Sequence, residues 1–237
     1  MNVLITGASR GIGRSLALSF AAQKNTKRLF LLSRDEKKLI QLKEEITAEF
    51  SEVEIVLLPF SLEDETCFGA VQNELRKHIA HLDVLVNNAG YLLNRPFEQI
   101  SLVDLERVYR INAHAPYLLV QCALPFLGGE SRSHVVNIGS MGGVQGQSKF
   151  AGLSAYSPSK MALAGVTECL AEELKEKNIF VNCLALGAVN TEMLAEAFPG
   201  YQAPISSSQM AEYIAEFATS GHYFYNGKIL PVASATP

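Results

Sequence analysis

The sequence predicts an α/β fold, a doubly wound parallel sheet of about seven strands with helices on both faces, in one domain spanning residues 1–237. Short apolar, β-branched runs alternate along the chain with longer stretches of helical periodicity. Several of the short runs are apolar at every position, which is typical of strands covered on both faces of a parallel sheet. No internal repeat or linker interrupts the alternation, and α/β chains of this length often form one domain.

The predicted strands are seven short runs at 2–6, 28–33, 54–60, 83–87, 134–138, 180–184 and 228–232. Each is rich in Val, Ile, Leu or Phe and is followed by polar or turn-forming residues. The least regular stretch, 187–208, lies between the sixth strand and the final helix. We therefore expect a substrate loop around 188–210.

Three of the helices between the strands can be predicted from their residues. Asp35 can cap a helix whose apolar face is formed by Leu39, Leu42, Ile46 and Phe50. Ser61 with Asp64 has the spacing of a capping pair ahead of the next helix. A third, long helix is expected from about 154 to 177.

Composition and charge exclude several classes of protein. Hydrophobic residues make up 48% of the chain and charged residues 19%, which excludes a disordered chain. The formal net charge of −4 argues against a nucleic acid as the main partner, because phosphate binding needs a basic face. The five histidines have no metal-ligand spacing, so we expect no metal site.

Three further features of the sequence predict a cytoplasmic protein with no membrane partner. The chain enters its first strand at Val3 with no secretory signal before it. The longest uncharged stretch, 111–129, contains polar residues and two prolines, and is a poor membrane span. Four widely spaced cysteines are expected to be free thiols, as in a reducing compartment.

A glycine-rich turn follows the first predicted strand and opens a helix. Gly7 turns the chain, Gly11 lets the backbone approach a pyrophosphate, and Gly13 allows close packing of the helix on the sheet. The amide groups at the helix N-terminus would then face the phosphates. The sequence thus predicts a dinucleotide-binding loop, although its Gly-x3-Gly-x-Gly spacing differs from the usual G-x-G-x-x-G pattern.

The end of the second strand favours one type of dinucleotide. An acidic residue there would bind the ribose 2′-hydroxyl of NAD, whereas an arginine suits the 2′-phosphate of NADP. The residues present are Ser33 and Arg34, with no acid before Asp35. Arg10 in the first loop could reach the same phosphate, so we expect NADP(H).

A candidate catalytic group lies at the start of the long helix. Tyr156 and Lys160 are four positions apart and share one helix face, so the ammonium is expected to lower the pKa of the phenol from about 10. Tyr156 could then exchange a proton with an alcohol or carbonyl oxygen. Ser140 and the segment 87–90 follow two other strands at the same sheet edge, and Asn112 lies in the helix between those strands.

Taken together, the chain resembles the short-chain dehydrogenase/reductase family in its single-domain form, a Rossmann fold. The resemblance is carried by Thr-Gly-x3-Gly-x-Gly at 6–13, Asn-Asn-Ala-Gly at 87–90, Asn112, Ser140, Tyr156-x3-Lys160, Gly187 and Thr191. It implies that Tyr156 protonates a carbonyl oxygen, that Ser140 holds that oxygen, and that Lys160 binds the nicotinamide ribose. It also implies that Asn112 holds a water in a proton relay.

The resemblance implies a set of cofactor contacts as well. Val189 and Thr191 would contact the carboxamide. The full set of expected cofactor-binding residues is Gly7, Ser9, Arg10, Gly11, Ile12, Gly13, Ser33, Arg34, Ser61, Leu62, Asn88, Ala89, Gly90, Tyr156, Lys160, Gly187, Val189 and Thr191.

Four departures from the family pattern concern the edges of the site. Leu186 replaces the usual proline before Gly187, and Ser61 stands where an aspartate usually meets the adenine. The gap between Ser140 and Tyr156 is longer than usual and contains Gly142, Gly143 and Gly146. The last strand is recognisable but lacks the frequent terminal acid and paired glycines.

We therefore expect an NADPH-dependent reductase that converts a ketone or aldehyde to an alcohol. Alternatives are a 3-oxoacyl-carrier-protein reductase, a pteridine reductase of the sepiapterin type, and a regulator that binds NADPH without turnover. The family also suggests a homotetramer or homodimer, packed through helices near 97–127 and 154–177. The substrate pocket is expected to be apolar, with walls formed by Leu92, Leu93, Met193, Leu194, Phe198 and Tyr201.

Overall fold

The computed structural model describes residues 1–147 and 149–234; Ser148, in the loop before Tyr156, and residues 235–237 of the predicted domain lie outside it. Its centre is a sheet of seven parallel strands in the order β3-β2-β1-β4-β5-β6-β9. The strands are β1 (Asn2–Thr6), β2 (Arg28–Leu32), β3 (Glu54–Leu58), β4 (Val84–Asn87), β5 (Ser133–Ser140), β6 (Ile179–Leu186) and β9 (Ile229–Val232). All seven predicted strands are confirmed, within one to two residues at most ends.

Helices flank this sheet, and a small second sheet lies beside it. The helices are α1 (Gly11–Ala21), α2 (Glu36–Glu49), α3 (Thr66–His78), α4 (Leu102–Tyr109), α5 (Ala115–Ala123), α6 (Tyr156–Leu174), α7 (Glu192–Ala197) and α8 (Ser207–Ser220). The second sheet pairs β7 (Val189–Asn190) with β8 (Ile205–Ser206). These two-residue strands frame α7 in the segment expected to form the substrate loop.

The core has two layers, one on each face of the sheet. Alternate residues of one strand enter different layers: Val3 and Ile5 pack towards α1, α2 and α8, whereas Leu4 packs towards α3, α5 and α6. Both faces of a strand therefore need apolar side chains, which explains the uninterrupted apolar runs in the sequence.

Strand order determines where a ligand can bind. The chain moves outward from β1 to β3 on one side, then returns to place β4 on the other side of β1. Ligands of such sheets bind beside this reversal, at the carboxyl ends of the strands. Thr6, Asn87 and Ser140 are the last residues of β1, β4 and β5, so the fold gathers the sequence-predicted groups at this edge.

The predicted helix starts are only partly correct. Asp35 caps α2, because its Oδ1 accepts a hydrogen bond from the Lys38 amide at 3.1 Å. The Ser61–Asp64 capping pair is wrong: α3 begins at Thr66, and Asp64 Oδ1 instead accepts from both the amide and the hydroxyl of Thr66. The Asp64 carboxylate is therefore hydrogen-bonded within a local turn at the start of the helix. The long helix is also shorter than expected, because 175–177 forms a 3-10 turn.

A buried histidine sits on β5, away from the cleft. The Nδ1 of His134 donates to the Ala218 carbonyl at 2.9 Å, and its Nε2 lies 3.0 Å from the Asn182 amide nitrogen. Since the Asn182 amide can only donate there, the ring is neutral. Burial lowers the pKa of His134 to about 4, with a smaller lowering contribution from neighbouring His222.

This histidine predicts acid sensitivity of the fold. The pKa of His134 is below the ordinary value of 6.5, so its stabilisation is present above about pH 6.5 and is lost towards pH 4. The loss should be on the order of 3 kcal/mol of unfolding free energy. Urea unfolding at several pH values should show that the unfolding free energy of His134→Gln, whose amide can keep both hydrogen bonds, decreases less towards acid pH than that of the unmutated protein. Identical pH slopes in the two proteins would contradict this assignment.

Candidate active site

A cleft of about 520 Å³ opens at the carboxyl edge of the sheet. Every sequence-predicted cofactor residue lines it, and so does Ser140. Asn112 does not line the cleft and is fully buried behind it. In strand order, the loops after β1, β2 and β3 form one half of the cleft, and the loops after β4, β5 and β6 form the other.

The glycine loop is shaped so that only glycine fits at its tightest point. Gly7 has a φ of +68°, a left-handed conformation that side chains disfavour. A Cβ added at Gly13 would lie 2.2 Å from the Gly7 carbonyl oxygen and 2.5 Å from Asn88 Nδ2. Asn88 in turn donates from Nδ2 to the Thr6 carbonyl at 2.9 Å. The helix, the loop and the end of β4 therefore pack with no room for a side chain.

The N-terminus of α1 has amide groups available for an anion. Its capping residue, Arg10, makes no side-chain capping bond, so the amides of the first turn lack a capping partner from that side chain. A helix start of this kind, behind a glycine turn, suits a pyrophosphate. The loop, the helix start and the size of the cleft fit a dinucleotide.

The two arginines predicted to bind a 2′-phosphate are both paired with carboxylates. Arg34 Nη1 lies 2.9 Å from Glu63 Oε1, and Arg10 Nη1 lies 2.9 Å from Glu196 Oε1. Arg107 Nη2 contacts the same Glu63 oxygen at 3.0 Å and lies over the ring of Tyr91. No acidic residue ends β2, but Glu63 in the loop after β3 supplies a carboxylate beside Arg34.

Sequence reasoning missed Glu63 and Arg107 in this network. Glu63 stands two residues after Ser61, in a loop that was expected to bind the cofactor, so its position offered a signal. Arg107 lies in α4, far along the chain, and no local pattern marks it.

Ser140 and Tyr156 bring two hydroxyl groups together in the cleft. Ser140 ends β5 and Tyr156 begins α6, and both side chains line the cleft. Tyr156 is 9% exposed. Burial raises the pKa of Tyr156 to about 12, and interaction with the Ser140 hydroxyl opposes part of this rise. At neutral pH the phenol therefore carries its proton.

Lys160 lies one helical turn from Tyr156 and is also buried. Its Nζ donates to the Ile138 carbonyl at 2.8 Å. Burial lowers the pKa of Lys160 to about 8, with Cys183 acting in the opposite direction. The prediction that Lys160 lowers the pKa of Tyr156 is wrong for this structure, because desolvation of the phenol dominates and raises it.

Asn112 lies in a π-helical segment, Arg110–His114, between α4 and α5. Its Oδ1 accepts from the Tyr91 amide at 2.8 Å, and its Nδ2 donates to the Tyr91 carbonyl at 2.9 Å and to Ser159 Oγ at 3.0 Å. A Cβ added at Gly90 would lie 3.5 Å from both Asn112 Oδ1 and Lys160 Nζ. The side chain therefore braces the loop after β4 right beside Lys160.

The loops after β4, β5 and β6 give the cleft an apolar wall, formed by Leu92, Met141, Phe150, Met193, Leu194 and Phe198. Two predicted members are wrong. Leu93 packs in a small core with Val108 and Ala155, and Tyr201 lies outside the cleft lining. Sequence reasoning missed Phe150, because the length of its loop gives no indication of where that loop folds.

A family model described as short chain dehydrogenase matches residues 1–202. The chain belongs to the short-chain dehydrogenase family. This membership agrees with the parallel seven-stranded sheet and with the position of the glycine loop at its edge.

Similar proteins of known name act on different carbonyl compounds. The 3-oxoacyl-[acyl-carrier-protein] reductase FabG of Aquifex aeolicus (strain VF5) is 32% identical over 192 residues, covering 81% of this chain and 75% of that protein. The L-xylulose reductase of Caenorhabditis elegans is 31% identical over 194 residues, covering 81% and 72%. A Pseudomonas aeruginosa RhlG/NADP active-site complex superposes with a TM-score of 0.85 at 25% identity, covering 99% and 95%.

Two further features concern the part of the chain that the structure describes. No helix there has the length and apolar character needed to cross a bilayer. The same residues contain no cluster of three or more His, Cys, Asp or Glu side chains placed to bind a metal ion.

Proposed function

We propose that this short-chain dehydrogenase is an NADPH-dependent reductase that converts a ketone or aldehyde to an alcohol. The observation that carries this proposal is that the hydroxyl side chains of Ser140 and Tyr156 line the same cleft as the glycine loop. Two hydroxyls at that position can bind one carbonyl oxygen, and one of them holds a proton that it can transfer.

The residues present suit NADP(H). The RhlG structure from Pseudomonas aeruginosa is an NADP complex, and it is similar to this chain over nearly its full length. Arg34 and Arg10 lie in the half of the cleft formed by the loops after β1, β2 and β3, where a ribose 2′-phosphate would lie. In the bound state we expect Arg34 to contact that phosphate.

The chemistry divides between the cofactor and the side chains. Bound NADPH would supply a hydride, which carries both electrons, to the carbonyl carbon. Tyr156 donates its proton to the carbonyl oxygen as the C–O π bond breaks, and Ser140 orients that oxygen. The raised pKa of Tyr156 keeps this proton in place at neutral pH. Lys160 lines the same cleft and would bind the nicotinamide ribose, and the relay water at Asn112 stays a prediction.

A carbonyl screen tests the proposal. Purified protein with NADPH should oxidise the cofactor, followed at 340 nm, when ketones and aldehydes are supplied. Identity with the Aquifex reductase favours a 3-oxoacyl carrier substrate as the second candidate, and an acyl thioester in the same screen tests it. Tight NADPH binding with no turnover of any carbonyl, pterin or thioester would instead support the alternative that the protein is a regulator that binds NADPH without turnover.

The arginine network predicts how cofactor preference can be changed. Arg34→Asp removes the expected phosphate contact and should weaken NADPH binding by about tenfold or more, while NADH binding changes little. Glu63→Gln should strengthen NADPH binding by about twofold to fivefold, because Arg34 no longer has to leave an exposed ion pair. Dissociation constants from nicotinamide fluorescence check both, with Lys38→Gln as a surface control. Equal NADH and NADPH affinity in the unmutated protein would contradict the phosphate assignment.

The pKa of Lys160 predicts a pH profile. Since that pKa is about 8, the ammonium is present below pH 8 and is lost above it. The kcat/KM for NADPH, which reports groups of the free enzyme, should therefore fall as pH rises through about 8. Tyr156 would keep its proton throughout this range. A profile that stays flat to pH 10 would show that Lys160 does not titrate there.

The proposal includes an oligomer and a cytoplasmic location. Large apolar side chains are exposed in and just before α4 and in α5, namely Phe97, Leu102, Val103 and Tyr117. This surface supports a dimer or tetramer packed through these helices, and light scattering would measure its mass. All four cysteines are free, which supports a reducing compartment.

A further inference from the structure

Two phenylalanines from separate loops meet at the cleft. Phe150 lies in the long loop between Ser140 and Tyr156, and Phe198 directly follows α7. Their ring centroids are 6.3 Å apart with the planes at 75°, an edge-to-face contact. Both rings are half-buried and line the cleft. The unusual length of the Ser140–Tyr156 loop thus places an aromatic ring in the apolar wall.

The two loops that carry these rings are both hydrogen-bonded to one short segment of chain, 94–95. Asn94 Nδ2 donates to the Ala197 carbonyl at 2.7 Å, next to Phe198. The Arg95 amide donates to the Gly152 carbonyl at 2.9 Å, two residues after Phe150. A Cβ at Gly152 would lie 1.9 Å from Asn94 Oδ1, so the two loops pack tightly against this segment. The aromatic pair is therefore positioned by hydrogen bonds outside the cleft.

Most of the charged side chains that line the described cleft have partners within the protein. Arg34 and Arg107 share Glu63, Arg10 pairs with Glu196, and Lys160 donates to a backbone carbonyl. The loop after β6 contributes two carboxylates, Glu192 and Glu196, and no base among its described lining residues. An anionic substrate would therefore find no basic side chain on this loop.

From this geometry we infer the substrate class: an uncharged ketone or aldehyde with an aromatic ring next to the carbonyl, seated against Phe150 and Phe198. This inference presupposes the reductase activity proposed above. The ring would stack on the two phenylalanines while the carbonyl oxygen reaches Ser140 and Tyr156. Open-chain sugars would leave their hydroxyls unpaired against the apolar wall, and phosphate-bearing acyl thioesters would find no basic side chain on the loop after β6.

Competing substrates measured under saturating NADPH test the substrate class. An aryl ketone such as phenylpropanedione should show a kcat/KM at least tenfold above that of L-xylulose and of acetoacetyl-CoA. Equal or faster turnover of the sugar or the thioester would overturn the substrate class while leaving the reductase activity established. Oxidation of NADPH by none of the carbonyls would overturn the proposed function and the inference together, and NADPH fluorescence titration would separate that result from failed folding.

Single substitutions test whether Phe150 and Phe198 bind the aromatic ring of the substrate. Phe150→Ala and Phe198→Ala should each lower kcat/KM for the aryl ketone by about tenfold, through KM, because aromatic contact and burial are lost. A small aliphatic aldehyde should lose less than threefold. Phe224→Ala is the matched control, since that ring is 80% exposed and lies outside the cleft lining. Equal losses for both substrates, or no loss for the aryl ketone, would overturn the role of the pair.

Discussion

Replacing Tyr156 by phenylalanine should abolish carbonyl reduction and leave NADPH binding almost unchanged. The substitution removes only the hydroxyl of Tyr156, which lines the cleft together with Ser140. General acid catalysis of this kind typically contributes about 10²–10⁴ in rate, so kcat should fall at least that far. The ring still fills its buried position, and the fold should therefore be retained.

Two comparisons make the Tyr156 experiment decisive. NADPH affinity, measured by fluorescence, should stay within about twofold of the unmutated value, which separates loss of chemistry from loss of binding. Ser140→Ala should lower kcat less than Tyr156→Phe, since Ser140 only orients the oxygen. If Tyr156→Phe keeps more than a tenth of the activity, another group must donate the proton.

Replacing Gly13 by alanine should have the second large effect, on cofactor binding. The new Cβ would lie 2.2 Å from the Gly7 carbonyl oxygen and 2.5 Å from Asn88 Nδ2, so the loop or α1 must move. Overpacking of this kind costs about 1–3 kcal/mol. NADPH binding should weaken by tenfold or more, because the loop that faces the pyrophosphate is displaced, and the melting temperature should drop.

Gly69→Ala is the matched control for Gly13→Ala. Gly69 lies within α3, and a Cβ there would meet no atom within 4 Å. Alanine favours a helix over glycine by about 0.5–1 kcal/mol, so this variant should be slightly more stable and bind NADPH normally. Similar behaviour of the two variants would show that close packing at Gly13 is unimportant.

Much of the architecture follows from local patterns. Each strand of the large sheet is a short apolar run, and a strand covered on both faces has no other pattern available. The glycine loop is equally local, because Gly7 and Gly13 meet through a few residues of chain. The two-residue strands β7 and β8 could not be predicted, since pairs of residues carry no periodicity.

The residues of the cleft were predicted better than their electrostatics. The expected cofactor residues all line one cleft, because parallel strands end at one edge and each motif follows a strand. The direction of the Tyr156 pKa was wrong, since desolvation depends on what surrounds the phenol in three dimensions. The spacing along the helix shows only that Lys160 lies near Tyr156, and it does not show how buried the phenol is.

Local sequence was enough to specify the parallel α/β fold, the glycine loop and the group of Ser140, Tyr156 and Lys160, because each depends on residues a few positions apart or on a strand end. Folding was needed to pair Glu63 with Arg34 and Arg107, and to bring Phe150 against Phe198. These contacts join loops that are distant in sequence. Their geometry depends on how helices and loops pack, and short-range patterns contain no information about such packing.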